Sequence, residues 1–115
     1  MKPEKKEIRR VECQRDGEVV NLSKGEMISV EFFRHESVGE NTEFAISNES
    51  VLKHLRTETE YIHPERMKYP GWTGGDAEKG LWFFETVGTG KTTLTINKIF
   101  RGTLESKCDI KFVVE

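Results

Sequence analysis

The chain has no apolar run near the roughly 20 residues that a membrane-spanning helix needs, so a helical membrane span is excluded. It has no basic excess: 18 Lys and Arg stand against 20 Asp and Glu, for a formal net charge of -2. Without a positive footprint, phosphate backbones are not the expected ligand, and no nucleic-acid partner is inferred. Histidine is scarce, and no pair among His35, His54 and His63 has a metal-ligand spacing on one helix or hairpin. No metal and no cofactor are therefore expected. Only two cysteines occur, Cys13 and Cys108, and neither belongs to a Cys-x-x-Cys pair. They read either as two small, partly buried thiols or as a disulfide tying the first strand to the last, which would imply an oxidising compartment. A sustained 3.6-residue period is missing too, and the segment Val51–Thr59 comes nearest to one.

What is present is alternation. Ile28, Val30 and Phe32 alternate with Ser29, Glu31 and Phe33; Leu94 and Ile96 alternate with Thr93, Thr95 and Asn97. Cys108, Ile110, Phe112 and Val114 alternate with Asp109, Lys111 and Val113, the cleanest case in the chain. A period of two puts one face of a strand into a core. Leu81-Trp82-Phe83-Phe84 is apolar throughout, as expected of a strand covered on both faces. Shorter extended candidates are Glu18–Leu22, Glu43–Ser47 and Glu60–His63, while Val51, Leu52 and Leu55 fit a strand or one helical turn. Turn residues separate these segments, for example Asp16-Gly17, Lys24-Gly25 and Gly102. The pattern predicts one all-β domain, an immunoglobulin-like β-sandwich of seven to eight strands. At 115 residues there is room for a single core. Residues 1–10, rich in charge and without an apolar leader segment, read as a solvated flexible tail, and 11–115 as the domain. If a leader has been removed ahead of Met1, a secreted or periplasmic location is expected.

Gly88-Thr89-Gly90-Lys91-Thr92-Thr93 invites a phosphate-loop reading, but that loop needs a further glycine where Glu85 stands, and it must open a helix. The β-branched alternation after Lys91 predicts a hairpin turn instead. No catalytic constellation stands out. Cys108 sits within an alternating strand, whereas nucleophiles favour exposed turns and helix N-termini. The chain does not read as an enzyme. Three stretches are richer than connections require: Arg34–Glu43; Lys68–Asp76, with Trp72 among glycines; and Asn97–Gly102, with Lys98, Ile99 and Phe100 at a strand end. Loops on a rigid scaffold carry recognition, and aromatic and Arg side chains carry interface energy.

From Gly17 onward the order and spacing of features resembles the chagasin family of inhibitors of papain-type cysteine proteases. Gly25-Glu26 falls at the family's Gly-Glu turn, and Glu40-Asn41-Thr42-Glu43-Phe44 where the family has an Asn-Pro-Thr-Thr-Gly-aromatic loop. Gly71-Trp72-Thr73-Gly74-Gly75 is similar to its Gly-x-Gly-Gly loop, followed here as there by an aromatic strand. Gly88-Thr89 and Leu94-Thr95-Ile96-Asn97 lead into Lys98-Ile99-Phe100, where the family has Arg-Pro-Trp. The Pro and Gly of the first loop are absent, and that loop is several residues longer.

The resemblance implies a monomeric inhibitor whose partner is a papain-type protease, with three loops at one end of the sandwich entering the active-site cleft. It assigns protease contact to Asn41, Thr42, Glu43 and Phe44; to Trp72, Thr73, Gly74 and Gly75; and to Lys98, Ile99 and Phe100. Thr42 would lie against the catalytic Cys–His pair. The competing expectation is a non-inhibitory immunoglobulin-like adhesion or binding module on the same scaffold, its aromatic loops serving another ligand.

Overall fold

The alternating segments form strands, and the computed structural model describes residues 7–62 and 77–115. Among the described residues there are eight: β1 (Ile8–Arg10), β2 (Glu18–Leu22), β3 (Met27–Arg34), β4 (Glu40–Ile46), β5 (Leu52–Tyr61), β6 (Glu78–Thr86), β7 (Gly90–Phe100) and β8 (Thr103–Val114). One 3-10 turn, Glu36–Val38, lies between β3 and β4. The strands make two four-stranded sheets with orders β1-β3-β6-β5 and β2-β8-β7-β4. β1 runs parallel to β3 and β2 parallel to β8; the other pairings are antiparallel. This is the expected immunoglobulin-like sandwich.

Period-two patterning decides the core. Ile28, Val30 and Phe32 of β3, Leu52 of β5, and Trp82 and Phe84 of β6 face Leu22 of β2, Leu94 of β7, and Ile110, Phe112 and Val114 of β8. Each such side chain contributes about 1.5–3 kcal/mol on leaving water. The ring of Phe32 stacks on Trp82 at 4.2 Å, and it lies over Gly80, where a Cβ would come within 2.4 Å of it. Any larger residue at 80 would displace the stack. From the opposite sheet Phe44 packs edge-on against Trp82 at 5.1 Å and Phe84 at 5.2 Å, with the His54 ring 4.9 Å away. The outer face of β6 is also covered, because the Arg56 guanidinium sits 4.1 Å over Phe83. The all-apolar run from Leu81 to Phe84 is explained by this two-sided cover.

Four expectations are corrected or resolved. Leu52–Leu55 and the candidate at Glu60 are parts of one ten-residue strand, β5, with Val51 in the turn before it and a register shift between His54 and Arg56. That bulge leaves Leu55 unpaired and exposed, which is why the alternation broke there. His63 lies outside the described residues. Gly88 and Thr89 do not form a hairpin within one sheet: β6 and β7 belong to different sheets, and the turn carries the chain across the sandwich. The charged N-terminal stretch is not solvated tail to its end, for Ile8–Arg10 pairs with Met27–Ser29 while keeping its side chains exposed. Cys13 and Cys108 are bonded, with a Cα–Cα distance of 6.4 Å.

The disulfide fastens the crossing segment between β1 and β2. Val11 N–H donates to Ser29 O in one sheet, and Gly17 N–H donates to Asp109 O in the other. At one pole of the sandwich, two buried threonines pin the turns. Thr86 Oγ1 donates to Ser23 O at 2.6 Å and accepts from Glu26 N–H at 2.9 Å. Thr92 Oγ1 accepts from Asn48 N–H at 3.0 Å and donates to Asn48 O at 3.1 Å.

Two outcomes follow in equilibrium unfolding. Replacing both cysteines by serine removes a bridge across a sequence separation of 95, and stability falls by about 4–5 kcal/mol. Thr86→Val keeps the shape but leaves the part-buried Ser23 carbonyl and Glu26 N–H without the hydroxyl, and costs about 1–3 kcal/mol. A Thr86→Val melting curve indistinguishable from the parent would show that the hydroxyl holds nothing.

Candidate functional site

Antiparallel pairing determines where the connections lie. Arg34 ends β3 opposite Glu78, which starts β6, and Tyr61 ends β5 opposite the same residue. Glu40 starts β4 opposite Phe100, which ends β7, and Phe100 faces Thr103 across the β7–β8 turn. The links β3–β4, β5–β6 and β7–β8 therefore leave from one pole, opposite the threonine-pinned turns. Of the β5–β6 link the described residues include the feet, where Ile62 N–H donates to Ala77 O at 2.9 Å.

The β3–β4 link is closed on itself. His35 and Glu40 exchange backbone hydrogen bonds of 3.0 Å; Val38 N–H donates to His35 O and Gly39 N–H to Glu36 O. Gly39 ends the 3-10 turn at φ 85°. Its carbonyl accepts the Arg101 N–H at 2.8 Å, joining this link to the β7–β8 turn. A Cβ on Gly39 would lie 2.9 Å from Arg101 Cγ. The β7–β8 turn has Arg101 at φ 50° and Gly102 at φ 80°, the positive-φ pair of a tight two-residue hairpin. A bulge on β8 leaves Glu105 without a partner between Ser106, opposite Lys98, and Leu104, opposite Ile99 at the base of the turn.

The two sheets are tied at this pole. Thr42 Oγ1 of β4 donates to Phe33 O of β3 at 2.6 Å. Arg34 Nε donates to Glu78 Oε2 at 2.6 Å, while its Nη1 lies 3.8 Å from Glu36. Of the ten large apolar side chains exposed among the described residues, six belong to this pole: Phe33, Val38, Tyr61, Ile62, Phe100 and Leu104, at 38–57% exposure. The Arg101 guanidinium sits 5.1 Å over the Phe100 ring.

The residues singled out from the sequence divide into three groups. Asn41, Thr42, Glu43 and Phe44 are strand residues of β4, paired with Ile99, Lys98, Asn97 and Ile96; Glu43 and Phe44 fall in the extended segment read there, and Asn41 and Thr42 are not in the loop that the resemblance implied. Phe44 turns inward to the aromatic core, and Thr42 is engaged with Phe33 O. Lys98, Ile99 and Phe100 are also in strand, with Phe100 at the hairpin's base. Trp72, Thr73, Gly74 and Gly75 lie outside the described residues. Pairing of β4 with β7 thus brings the first and third groups side by side. Val38, Gly39 and Arg101 fall inside the stretches Arg34–Glu43 and Asn97–Gly102 but were not among the assigned contact residues, and Tyr61 and Leu104 lie outside all three stretches. A glycine five residues after a strand's last residue and the Arg-Gly pair before β8 were the available signals.

Among the described residues, no group of three or more His, Cys, Asp or Glu could hold a metal ion. The arrangement offers braced backbone with apolar side chains, which is the make-up of a protein-contact surface.

No family model matches the chain, and none of the curated proteins matches it. Solved structures do. The cysteine protease inhibitor EhICP2 from Entamoeba histolytica superposes with a TM-score of 0.72 at 12% identity, over 94% of this chain and 96% of that one. Amebosin gives 0.55 at 13% identity, over 93% and 97%. PbICP-C in complex with falcipain-2 gives 0.51 at 12% identity, over 93% and 99%. The resemblance read from the order of sequence features holds at the level of fold: this chain has the architecture of cysteine protease inhibitors of known structure.

Proposed function

We propose that the chain inhibits papain-type cysteine proteases by setting the β3–β4, β5–β6 and β7–β8 pole into the active-site cleft. The carrying observation is that three connections leave one end of a sandwich, with most of the large apolar side chains exposed among the described residues gathered there. EhICP2 shares this fold, and its counterpart PbICP-C is found in complex with falcipain-2.

The geometry of the β3–β4 link explains how such a contact escapes cleavage. A protease needs its substrate extended, so that the scissile carbonyl reaches the nucleophile. From His35 to Glu40 the backbone is instead folded into a hydrogen-bonded turn, held at both ends and clasped by Arg101 N–H. The turn would enter the cleft without presenting an extended peptide. Phe100 beside it, with Arg101 above its ring, supplies an aromatic contact that gains from losing water. Trp72 and the glycines at 74 and 75 would flank the cleft on the other side. An interface of standard size, about 1,600 Å², becomes tight when little must be ordered on binding, and a braced pole satisfies that condition.

The direct measurement is titration of the folded chain against a panel of papain-type proteases. The expected result is one-to-one loss of activity with an inhibition constant at or below about 1 μM for at least one member. Full activity of every member at micromolar inhibitor would reject the proposal. Phe100→Asp places a charge in the contact and should weaken inhibition at least about 30-fold, the factor for a 2 kcal/mol hot spot, with an unchanged melting temperature. Gly39→Ala is a different case: a side chain in the left-handed region costs about 1–2 kcal/mol, and here it also presses on Arg101. It should lower both stability and affinity, and an affinity that does not move would separate the turn from recognition.

A further inference from the structure

The asparagines of the chain fall into two classes. Asn21-Leu22-Ser23 and Asn48-Glu49-Ser50 have a hydroxyl residue two positions on, with no proline between, and are N-glycosylation acceptor motifs. Asn41 and Asn97 are followed at that distance by Glu43 and Ile99, and are not. Such motifs arise often by chance, so location and side-chain state must decide.

Location separates the classes. Asn21 is on β2 and Asn48 in the turn after β4, the two outer strands of one sheet. Asn21 pairs with Val113 near the end of β2, and Asn48 follows Ile46, which pairs with Leu94. Both sit toward the pole of the threonine-pinned turns, away from the candidate protease-facing connections. Asn41 is in register with Ile99 toward the other pole.

Side-chain state agrees. Asn21 and Asn48 are exposed, and among the described residues neither amide nitrogen has a hydrogen-bond partner. By contrast, Asn41 Nδ2 donates to Glu43 Oε1 and its Oδ1 accepts the Thr42 N–H. The Asn48 side chain is also held ready. Its Oδ1 accepts both the Ser50 N–H at 3.1 Å and the Ser50 hydroxyl, so the motif's hydroxyl polarises the amide of an exposed side chain. The Asn48 backbone is fixed on both sides by Thr92 Oγ1. The disulfide adds an independent indication, because a Cys13–Cys108 bond persists in the oxidising compartments where such glycans are attached.

We propose that Asn48, together with Asn21, accepts an N-linked oligosaccharide, so that the glycans occupy the pole opposite the three connections. The donor class is a polyprenyl-diphosphate-linked oligosaccharide. The Nδ2–C1 bond forms as the bond from the anomeric carbon to the diphosphate oxygen breaks; the diphosphate leaves with the bonding pair, and the amide releases one of its two protons. Glycans there leave the contact pole open. They also cover the free edges of β2 and β4, which otherwise present unpaired backbone to another chain. This inference does not depend on inhibition.

The test uses the full-length chain purified from the organism that makes it, with the disulfide intact. Tryptic peptides are fragmented and read for sugar oxonium ions and for the site of added mass. The His35–Lys53 peptide should be glycosylated at Asn48 and not at Asn41, and the Asp16–Lys24 peptide at Asn21. An Asn48 without added mass in the disulfide-bonded protein overturns the proposal. In a secreting host that attaches N-glycans, Ser50→Ala should lose one glycan of mass and Ser50→Thr keep it. Equal masses for the parent and Ser50→Ala would overturn it equally, and because Ser50 is an exposed turn residue the comparison does not hinge on folding.

Discussion

Face-to-face burial of the two sheets around Phe84 is the constraint on which the rest of the molecule depends. Phe84 is fully buried at the centre, with Trp82 and Phe32 stacked beside it and Phe44 meeting it edge-on from the opposite sheet. Aromatic rings pack in offset or edge-on arrangements, not at arbitrary angles, so this cluster sets how one sheet sits on the other. Gly80 belongs to the same constraint, since the space a side chain would take there is filled by the Phe32 ring. A chain of this size and charge has little core to spare, which gives each ring and the covalent tie between Cys13 and Cys108 a large share of its stability.

The two poles have opposite characters, and the difference is chemical. At one pole, short turns are sewn to buried threonine hydroxyls. At the other, the connections are braced by backbone and by the Arg34–Glu78 pair, while apolar side chains stay in solvent. Exposed apolar area that is held still loses little entropy on meeting a partner. The asymmetry gives a direction to the functional reading: one end fastens, the other contacts, and both glycan acceptor motifs fall with the fastened end.

Much of the fold was legible because alternation is a local signal. Ile28–Phe32 and Cys108–Val114 announce a pleat with one buried face whatever their neighbours do. The candidate site was legible only in outline. Asn41, Thr42 and Glu43 carry the polarity of a loop, yet they are strand because β7 lies alongside; Phe44 reads as a contact residue and is core because Trp82 and Phe84 stand across from it. Leu55 broke the pattern because a bulge dropped it from register, and bulges leave no sequence signal of their own in a charged strand.

The sequence alone therefore determined the strand-rich class and the inward faces of the clearest strands, since these follow from a period of two. Tertiary structure decided which cysteine reading held, which turn crosses the sandwich instead of closing a hairpin, and that His35–Gly39 and Arg101–Gly102 meet at one pole. Those outcomes rest on hydrogen bonds between residues tens of positions apart, and no local pattern encodes which strand a given strand will find.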